Sequence, residues 1–353
     1  MRALVLAAAA SAALAAPAPA FRFTDPRIAE ASGIAVGLRS PGVVYVQNDS
    51  GDVNRFFAVD PRTGATAATV TVPGATNVDW EDLAVARAPA GPQVWIGDIG
   101  DNGGTRTEIR VYRVTEPRVA RTDRGRALST GRPAIWRLRY PDGPTDAEGL
   151  AVAPDGAAYV VTKSLLGRST VYRLPPHPDP RHVQTLRRVA GITLVPHGDP
   201  NPFGIVGELA ITGAAISPDG TRFAVRTYAA AYTWVLGSGG LAAALRTPPR
   251  RVPLPRQPQG EGIAFAGDRQ LLVDSEGRHA AAYLVAPPPP VASSSTAPPT
   301  STAASPTPTA APPTAAAPSG RSWVGPALVA GAAGALAGAA LLLLRRRSRR
   351  RLR

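Results

Sequence analysis

The feature that most constrains the fold is a short apolar segment that recurs five times and is followed each time by a turn. Each copy is a run of four residues that are mostly small or β-branched: Gly33–Val36, Asp82–Val85, Gly149–Val152, Gly213–Ile216 and Gly262–Phe265. Apolar runs of this length that end at Pro, Asp or Gly are typical of strands joined by tight turns. The turns are clearest at Ala153–Gly156 and Ser217–Gly220. The chain is therefore predicted to repeat one β unit.

Each copy is followed by further predicted strands. Second strands are expected at 43–46, 94–97, 158–161, 223–225 and 271–273, third strands at 56–59, 109–114, 170–174, 232–235 and 282–285, and fourth strands at 68–72, 134–138, 185–189 and 251–254. The fifth unit meets a Pro-rich segment before a fourth strand, and Phe21–Thr24 can supply it from the other end of the domain.

Five four-stranded antiparallel units whose two chain ends complete one unit together predict an all-β fold, a β-propeller with five blades. The long stretches 115–132 and 196–209 leave room for a sixth blade. A sandwich of two sheets is the alternative fold.

The two ends of the chain are predicted to be an export segment and a membrane-anchoring segment. Met1 and Arg2 precede an apolar, Ala-rich run with a small-x-small exit at Ala18 and Ala20, which predicts a signal peptide over 1–20. The uncharged stretch 323–344 is long enough to span a hydrocarbon core of about 30 Å. The arginines of 345–353 would hold that end in the cytoplasm.

Between the predicted propeller, 21–285, and the predicted transmembrane helix lies 286–322, which is dominated by Pro, Ala, Ser and Thr. Such a composition cannot bury enough apolar surface to fold, so we expect a disordered stalk. The expected localisation is export, with the propeller extracellular and anchored in the plasma membrane by the C-terminal helix.

Composition excludes several classes of function. The formal net charge is +14, but Arg2 and the seven arginines of the tail carry eight of these charges, which leaves about +6 for the exported part. A mildly basic domain of this kind is not predicted to bind nucleic acid. The chain has no Cys, and its four His residues lack metal-ligand spacing, so zinc is not indicated. Signatures of nucleotide and haem binding are also absent from the sequence.

Polar residues gather at one end of the predicted propeller. In an antiparallel unit, the loop that enters the first strand lies at the same end as the loop between the second and third strands. Many carboxylates occupy these loops, including Asp79 and Asp146 before first strands. We therefore expect an acidic mouth at one end of the central channel.

Three interpretations of this mouth are open. The acidic residues can be turn and strand-entry groups that bond backbone N–H groups and tie the blades together. They can instead form a hard-cation site, for which oxygen ligands without Cys favour Ca²⁺ or Mg²⁺. The predicted ligands are then Asp49, Asp52, Glu81, Asp98, Asp101 and Glu148.

The third interpretation is catalysis, in which a bound cation polarises an ester and activates water. Glu148, Lys163 and Arg226 are the candidate catalytic residues, with Lys163 and Arg226 holding the anion of the substrate. Lys163 is the only lysine of the chain. No Ser-His-Asp order and no Gly-x-Ser-x-Gly elbow is present.

The repeated first strands, with Glu148 and Glu261 before Gly, and the Pro-Asp-Gly turns resemble the secreted β-propellers of the phytase-like, NHL and TolB-like groups, and exported actinobacterial proteins in particular. The resemblance covers 21–285. The phytase-like members imply calcium-assisted cleavage of phosphate esters, and the lactonase-type propellers imply one cation held by Glu, Asn and Asp.

We predict a cell-surface propeller that binds an extracellular ligand, or a protein or glycan partner, at the acidic mouth, with Ca²⁺ as the candidate cation. The alternative function is a calcium-dependent hydrolase of phosphate esters or lactones.

Overall fold

The computed structural model describes residues 17–286 and contains five four-stranded antiparallel units arranged as a β-propeller. Blade 1 contains β2 (Ala31–Val36), β3 (Val44–Asn48), β4 (Arg55–Asp60) and β5 (Ala65–Thr71). Blade 2 contains β6 (Trp80–Ala86), β7 (Gln93–Asp98), β8 (Ile109–Thr115) and β10 (Ala134–Arg139). Blade 3 contains β11 (Ala147–Val152), β12 (Ala158–Thr162), β13 (Arg168–Arg173) and β15 (Arg187–Thr193). Blade 4 contains β16 (Ile211–Ile216), β17 (Arg222–Thr227), β18 (Ala230–Val235) and β19 (Arg250–Pro253). Blade 5 contains β20 (Ile263–Ala266), β21 (Gln270–Val273), β22 (Ala281–Val285) and β1 (Phe21–Arg22).

The prediction of five blades is confirmed, and the two long stretches do not form a sixth. The first contains β9 (Arg126–Ser129), which pairs in parallel with β5 as an extra outer strand of blade 1. The second contains the short helix α1 (Gly204–Leu209). A further short strand, β14 (Gln184–Thr185), pairs in parallel with β10 at the outer edge of blade 2. The fourth strand predicted at 185–189 is found later, as β15. A second short helix, α2 (Gly240–Ala244), connects β18 to β19.

The predicted closure by the two ends of the domain is also confirmed. Phe21 pairs with Ala282 and Arg22 with Ala281, so β1 completes blade 5. The inner strands β2, β6, β11, β16 and β20 each contact the next one, and β20 contacts β2, which closes the ring.

Each interface between neighbouring blades is a separate hydrophobic core. Successive side chains of a strand point to opposite faces of the sheet, so every blade contributes to two cores. In β3, Tyr45 packs toward blade 2, whereas Val44 and Val46 pack toward blade 5. In β7, Ile96 packs toward blade 1 and Trp95 toward blade 3, where it stacks on Trp136 with ring centroids 4.9 Å apart.

The inner strands approach one another closely near the axis. An added Cβ at Gly33 would lie 2.5 Å from the backbone nitrogen of Leu83 in blade 2. At Gly213 it would lie 2.7 Å from the carbonyl oxygen of Glu261 in blade 5. A side chain at either of these two positions would therefore clash with the backbone of a neighbouring blade.

Several predictions fall on residues that the structure does not describe. The stalk, the span 323–344 and the tail lie outside 17–286, as does most of the predicted signal peptide. Within 17–286, neither helix has the length or the apolar composition needed to cross a bilayer.

Closure by β1 gives a direct stability prediction. Phe23 is fully buried, packs edge-on against Phe21 at 5.5 Å and belongs to the core between blades 5 and 1. Phe23→Ala should lower the free energy of unfolding by about 3–5 kcal/mol because it leaves a cavity at the closing strand. Chemical denaturation of the full-length protein measures this. The exposed neighbour Arg22 is the control, and an Arg22→Ala change as large as Phe23→Ala would contradict the assignment.

Candidate functional site

The mouth of the channel is built by one residue from each blade, at the start of the inner strand. In blades 1–4 the pairing of the first two strands shifts by one residue at this point, which is a β-bulge. A bulge re-aims the side chain of its extra residue. The bulged residues and their counterpart in blade 5 are all polar and buried: Ser32, Glu81, Glu148, Thr212 and Glu261. We call these five residues the mouth ring.

The two hydroxyl members of the ring tie one blade to the next. Ser32 Oγ donates to the carbonyl oxygen of Glu81 at 2.6 Å and lies 3.2 Å from its carboxylate. Thr212 Oγ1 lies 3.0 Å from the carbonyl oxygen of Gly260 and 3.1 Å from that of Glu261. These two residues therefore join neighbouring blades through hydroxyl donors, whereas the first interpretation assigned that role to acidic side chains that accept backbone N–H groups.

The carboxylates of blades 1–3 form two groups that share one member. The first group is Asp49, Asp79 and Glu81, and the second is Glu81, Asp146 and Glu148. In each group, one carboxylate oxygen from every residue lies within 4.8 Å of the others. Carboxylates this close repel one another unless a cation or a proton offsets the charge. We call these five residues the acidic arc.

Three of the six predicted metal ligands belong to the arc: Asp49, Glu81 and Glu148. The other three bond their own loops. Asp98 accepts from the backbone N–H of Asp79 and from Arg106 at 2.9 Å. Asp101 accepts two backbone N–H groups, from Thr105 and Arg106. Asp52 pairs with Arg55 at 2.8 Å.

Asp79 and Asp146 complete the arc, and sequence reasoning placed them at the mouth without counting them as ligands. Each stands two residues before a ring glutamate, as Asp79-Trp-Glu81 and Asp146-Ala-Glu148. Residues two apart on an extended chain point to the same side. The recurrence of Asp-x-Glu in two successive units is the signal that could have identified both.

Lys163 lies beside the second group. Its Nζ contacts Glu148 Oε1 at 2.5 Å and donates to the hydroxyl of Tyr228 at 3.1 Å. Tyr228 in turn packs against Phe203, with ring centroids 4.4 Å apart. Only 3% of the Lys163 side chain is exposed, so its charge offsets Glu148.

Arg226, the other predicted anion-binding residue, is enclosed by the protein. It is fully buried, and its guanidinium donates to the carbonyl oxygens of Gly262 at 3.2 Å and Asp274 at 3.0 Å and to the side chain of Gln257 at 3.2 Å. Burial lowers its pKa to about 10, so it remains a cation at neutral pH. The structure therefore makes Arg226 a tie between blades 4 and 5, and its expected role in holding a substrate is not supported.

Asp82 occupies the position that the other four blades fill with glycine. Its carboxylate reaches across the axis and accepts the backbone N–H groups of Leu83 and Leu150 at 2.8 Å and of Ala214 at 3.2 Å. Burial raises the pKa of Asp82 well above its usual value, more than these three donors lower it. One side chain thus joins blades 2, 3 and 4.

The opposite end of the channel is different in character. A cavity of about 320 Å³ is lined there by inner strands of all five blades, mainly by Ala and by the branched residues Val36, Val85, Val152 and Ile216. Arg87 and Asp268 are the ionisable residues among those that line it. The two groups of clustered carboxylates therefore lie at the mouth and not at this end.

Asp274, which accepts the backbone N–H of Gly262 at 2.9 Å, gives a pH prediction. Burial raises its pKa from 3.8 to about 7. Between about pH 4 and pH 7 the folded state therefore keeps a proton on Asp274 that the unfolded state has released. The contribution of this residue to the free energy of unfolding is fully present below pH 4 and is lost as the pH rises through 7. The loss is at most about 4 kcal/mol.

Asp274→Asn should flatten this dependence, since the amide does not titrate. Denaturation of the wild type and the variant at pH 4.5, 6 and 7.5 measures it. The pKa values of Asp25 and Glu108 are lowered to about 2, so the stability that these two residues contribute is lost only as the pH falls below about 4. Their contribution therefore stays constant between pH 4.5 and 7.5. Equal slopes for the two proteins across this window would contradict the prediction.

No family model and no curated protein matches the chain. Among solved structures, the PQQ-bound aldose sugar dehydrogenase from Streptomyces coelicolor aligns with a TM-score of 0.42 and 12% identity over 75% of this chain and 96% of its own. The major allergen Mala s 1 of Malassezia sympodialis aligns with a TM-score of 0.46 and 10% identity, over 75% of this chain and 94% of its own.

Proposed function

We propose that the protein binds a divalent cation, with Ca²⁺ as the candidate, at the acidic arc, and that the cation helps to bind an extracellular ligand or partner there. The observation that carries this proposal is the position of Glu81, a buried carboxylate shared by both groups of the arc. The arc brings together five carboxylates from three adjacent blades, and one of them, Glu148, pairs with Lys163. Hard oxygen donors in this number suit Ca²⁺ or Mg²⁺.

The geometry supports binding more than hydrolysis. A hydrolase of phosphate esters or lactones needs a cationic group that can reach the substrate anion beside the metal. Of the two groups predicted for this, Lys163 is almost fully enclosed against Glu148 and Tyr228. Arg226 is fully buried and bonded to carbonyl oxygens. Hydrolysis remains a prediction from the resemblance alone.

Calcium should stabilise the wild-type protein. A cation that binds only the folded state stabilises it by about 2.7 kcal/mol at a hundred times its dissociation constant. Melting the full-length protein in EDTA and in millimolar CaCl₂ measures this shift. Glu81→Gln should abolish the shift, because both groups lose their common ligand. The same variant should melt no lower than the wild type in EDTA, because one repelling charge is gone.

Asp52→Asn is the matched control. Asp52 is an acidic residue of the mouth loops that pairs with Arg55 outside the arc, so this variant should keep the full calcium shift. Absence of a shift in the wild type would overturn the cation proposal. A shift that Glu81→Gln retains and Asp52→Asn loses would move the site to the β3–β4 loop.

We also propose that the propeller is displayed on the outer surface of the cell. The support is the sequence: an apolar N-terminal leader, the uncharged stretch 323–344 and the arginines that follow it. Protease added to intact cells should degrade an epitope in the propeller and spare one fused after Arg353. Protection of the propeller epitope until the cells are lysed would refute this placement.

A further inference from the structure

A second cavity of the mouth end lies at blade 5, on different blades from the acidic arc. Its volume is about 340 Å³. The loop from blade 4 to blade 5 and the β21–β22 loop line it together with the outer strands β1 and β22. Its ionisable and aromatic lining residues are Arg22, Arg256, Arg278, His279, Tyr283 and Glu276. Three arginines and a single acidic residue therefore line one pocket.

These three arginines have no partners of their own. Within the part of the chain that the structure describes, the guanidinium groups of Arg22, Arg256 and Arg278 form no ion pair and no hydrogen bond. Elsewhere in the propeller, arginines close to carboxylates do pair with them, as Arg27 does with Asp25 and Arg106 with Asp98. The pocket thus retains hydrogen-bond donors and positive charge that the fold itself does not use.

The floor of the pocket is held rigidly. Gln257 is buried, and its Nε2 donates to the carbonyl oxygen of Ala281 at 3.1 Å. Its Oε1 accepts from Arg226 at 3.2 Å, which places a fourth guanidinium directly behind the pocket. These two hydrogen bonds fix the position of the Gln257 side chain at the pocket.

The loop over the pocket is strained at one residue. His279 has φ 58° and is the one non-glycine residue between 17 and 286 with a positive φ. Its ring Nδ1 lies 3.1 Å from the carbonyl oxygen of Phe23, which holds the ring against the closing strand region. Strained backbone of this kind persists where the surrounding structure fixes it, and it clusters at ligand sites.

We propose that this blade 5 pocket binds the oxyanion group of a small molecule, that is, a phosphate, sulfate or carboxylate. Arginine is the side chain best suited to this because its planar fork donates two parallel hydrogen bonds to such a group. The volume is within the range of small-molecule pockets and accommodates the rest of a sugar-sized ligand. The proposal does not depend on the cation at the acidic arc.

Titration calorimetry of the full-length protein, freed of divalent cations on a chelating resin, tests it at constant ionic strength with inorganic phosphate as the first probe. Glucose 6-phosphate, sulfate and glucuronate are further probes, and glucose is the uncharged control. We expect at least one oxyanion to bind and glucose not to bind. The Arg256→Gln/Arg278→Gln double variant should weaken that binding about tenfold or more, since it removes two charged donors.

The control is Arg132→Gln/Arg187→Gln, which removes the same charge from exposed arginines of other blades. It should bind the oxyanion as the wild type does. The relative affinities of the phosphate, sulfate and carboxylate probes identify which group the pocket takes. Failure of every oxyanion to bind, or equal weakening in the two double variants, would overturn the proposal. Neither result bears on the calcium shift, because divalent cations are absent throughout.

Discussion

The whole structure depends on how closely five inner strands can approach one axis. In blades 1, 3, 4 and 5 the residue after the mouth ring is glycine, and at Gly33 and Gly213 an added Cβ would come within 3 Å of the next blade's backbone. Close approach allows each sheet to cover its neighbour, so that five separate hydrophobic cores, one per interface, hold the ring together. The last of these interfaces exists because β1 returns to blade 5.

The close approach of the inner strands buries backbone polar groups near the axis. The inner edge of each innermost strand has backbone N–H and C=O groups without a strand partner, and buried groups of this kind are costly when left unbonded. Two buried ionisable side chains bond the backbone of neighbouring blades here. Asp82 accepts the N–H groups of Leu150 and Ala214, and Arg226 donates to the carbonyl oxygens of Gly262 and Asp274. The single departure from glycine among the five units thus has a structural cause.

The difference between local pattern and contacts from other blades explains which parts of the site the sequence could predict. Alternation with period two and the spacing of the units were sufficient to predict the five blades and the closing strand, because these depend on local pattern, although the sequence left a sixth blade open. The end of the channel at which Glu81 and Glu148 lie also followed from strand direction alone. The roles of Asp98, Asp101 and Arg226 did not follow, since each depends on a partner in a loop or on another blade. A carboxylate beside a glycine has the same sequence context whether its side chain bonds its own loop or faces the channel, so the sequence alone does not distinguish the two.

The bulge explains why a rigid propeller can carry different chemistry at each blade. Because the bulged residue lies outside the regular pairing, its identity can change without disturbing the glycine beside it or the strand beyond it. The bulged position of blades 1–4 accordingly holds two carboxylates and two hydroxyls on one backbone geometry, and Glu261 is their counterpart in blade 5. Where the ring residue is Ser or Thr, its side chain bonds the next blade. Glu81 and Glu148 each follow an aspartate by two residues, and the carboxylates of these pairs belong to the acidic arc. Charge at the mouth is therefore set blade by blade, which allows an acidic arc over blades 1–3 and an arginine-lined pocket at blade 5 to coexist at one end of the same fold.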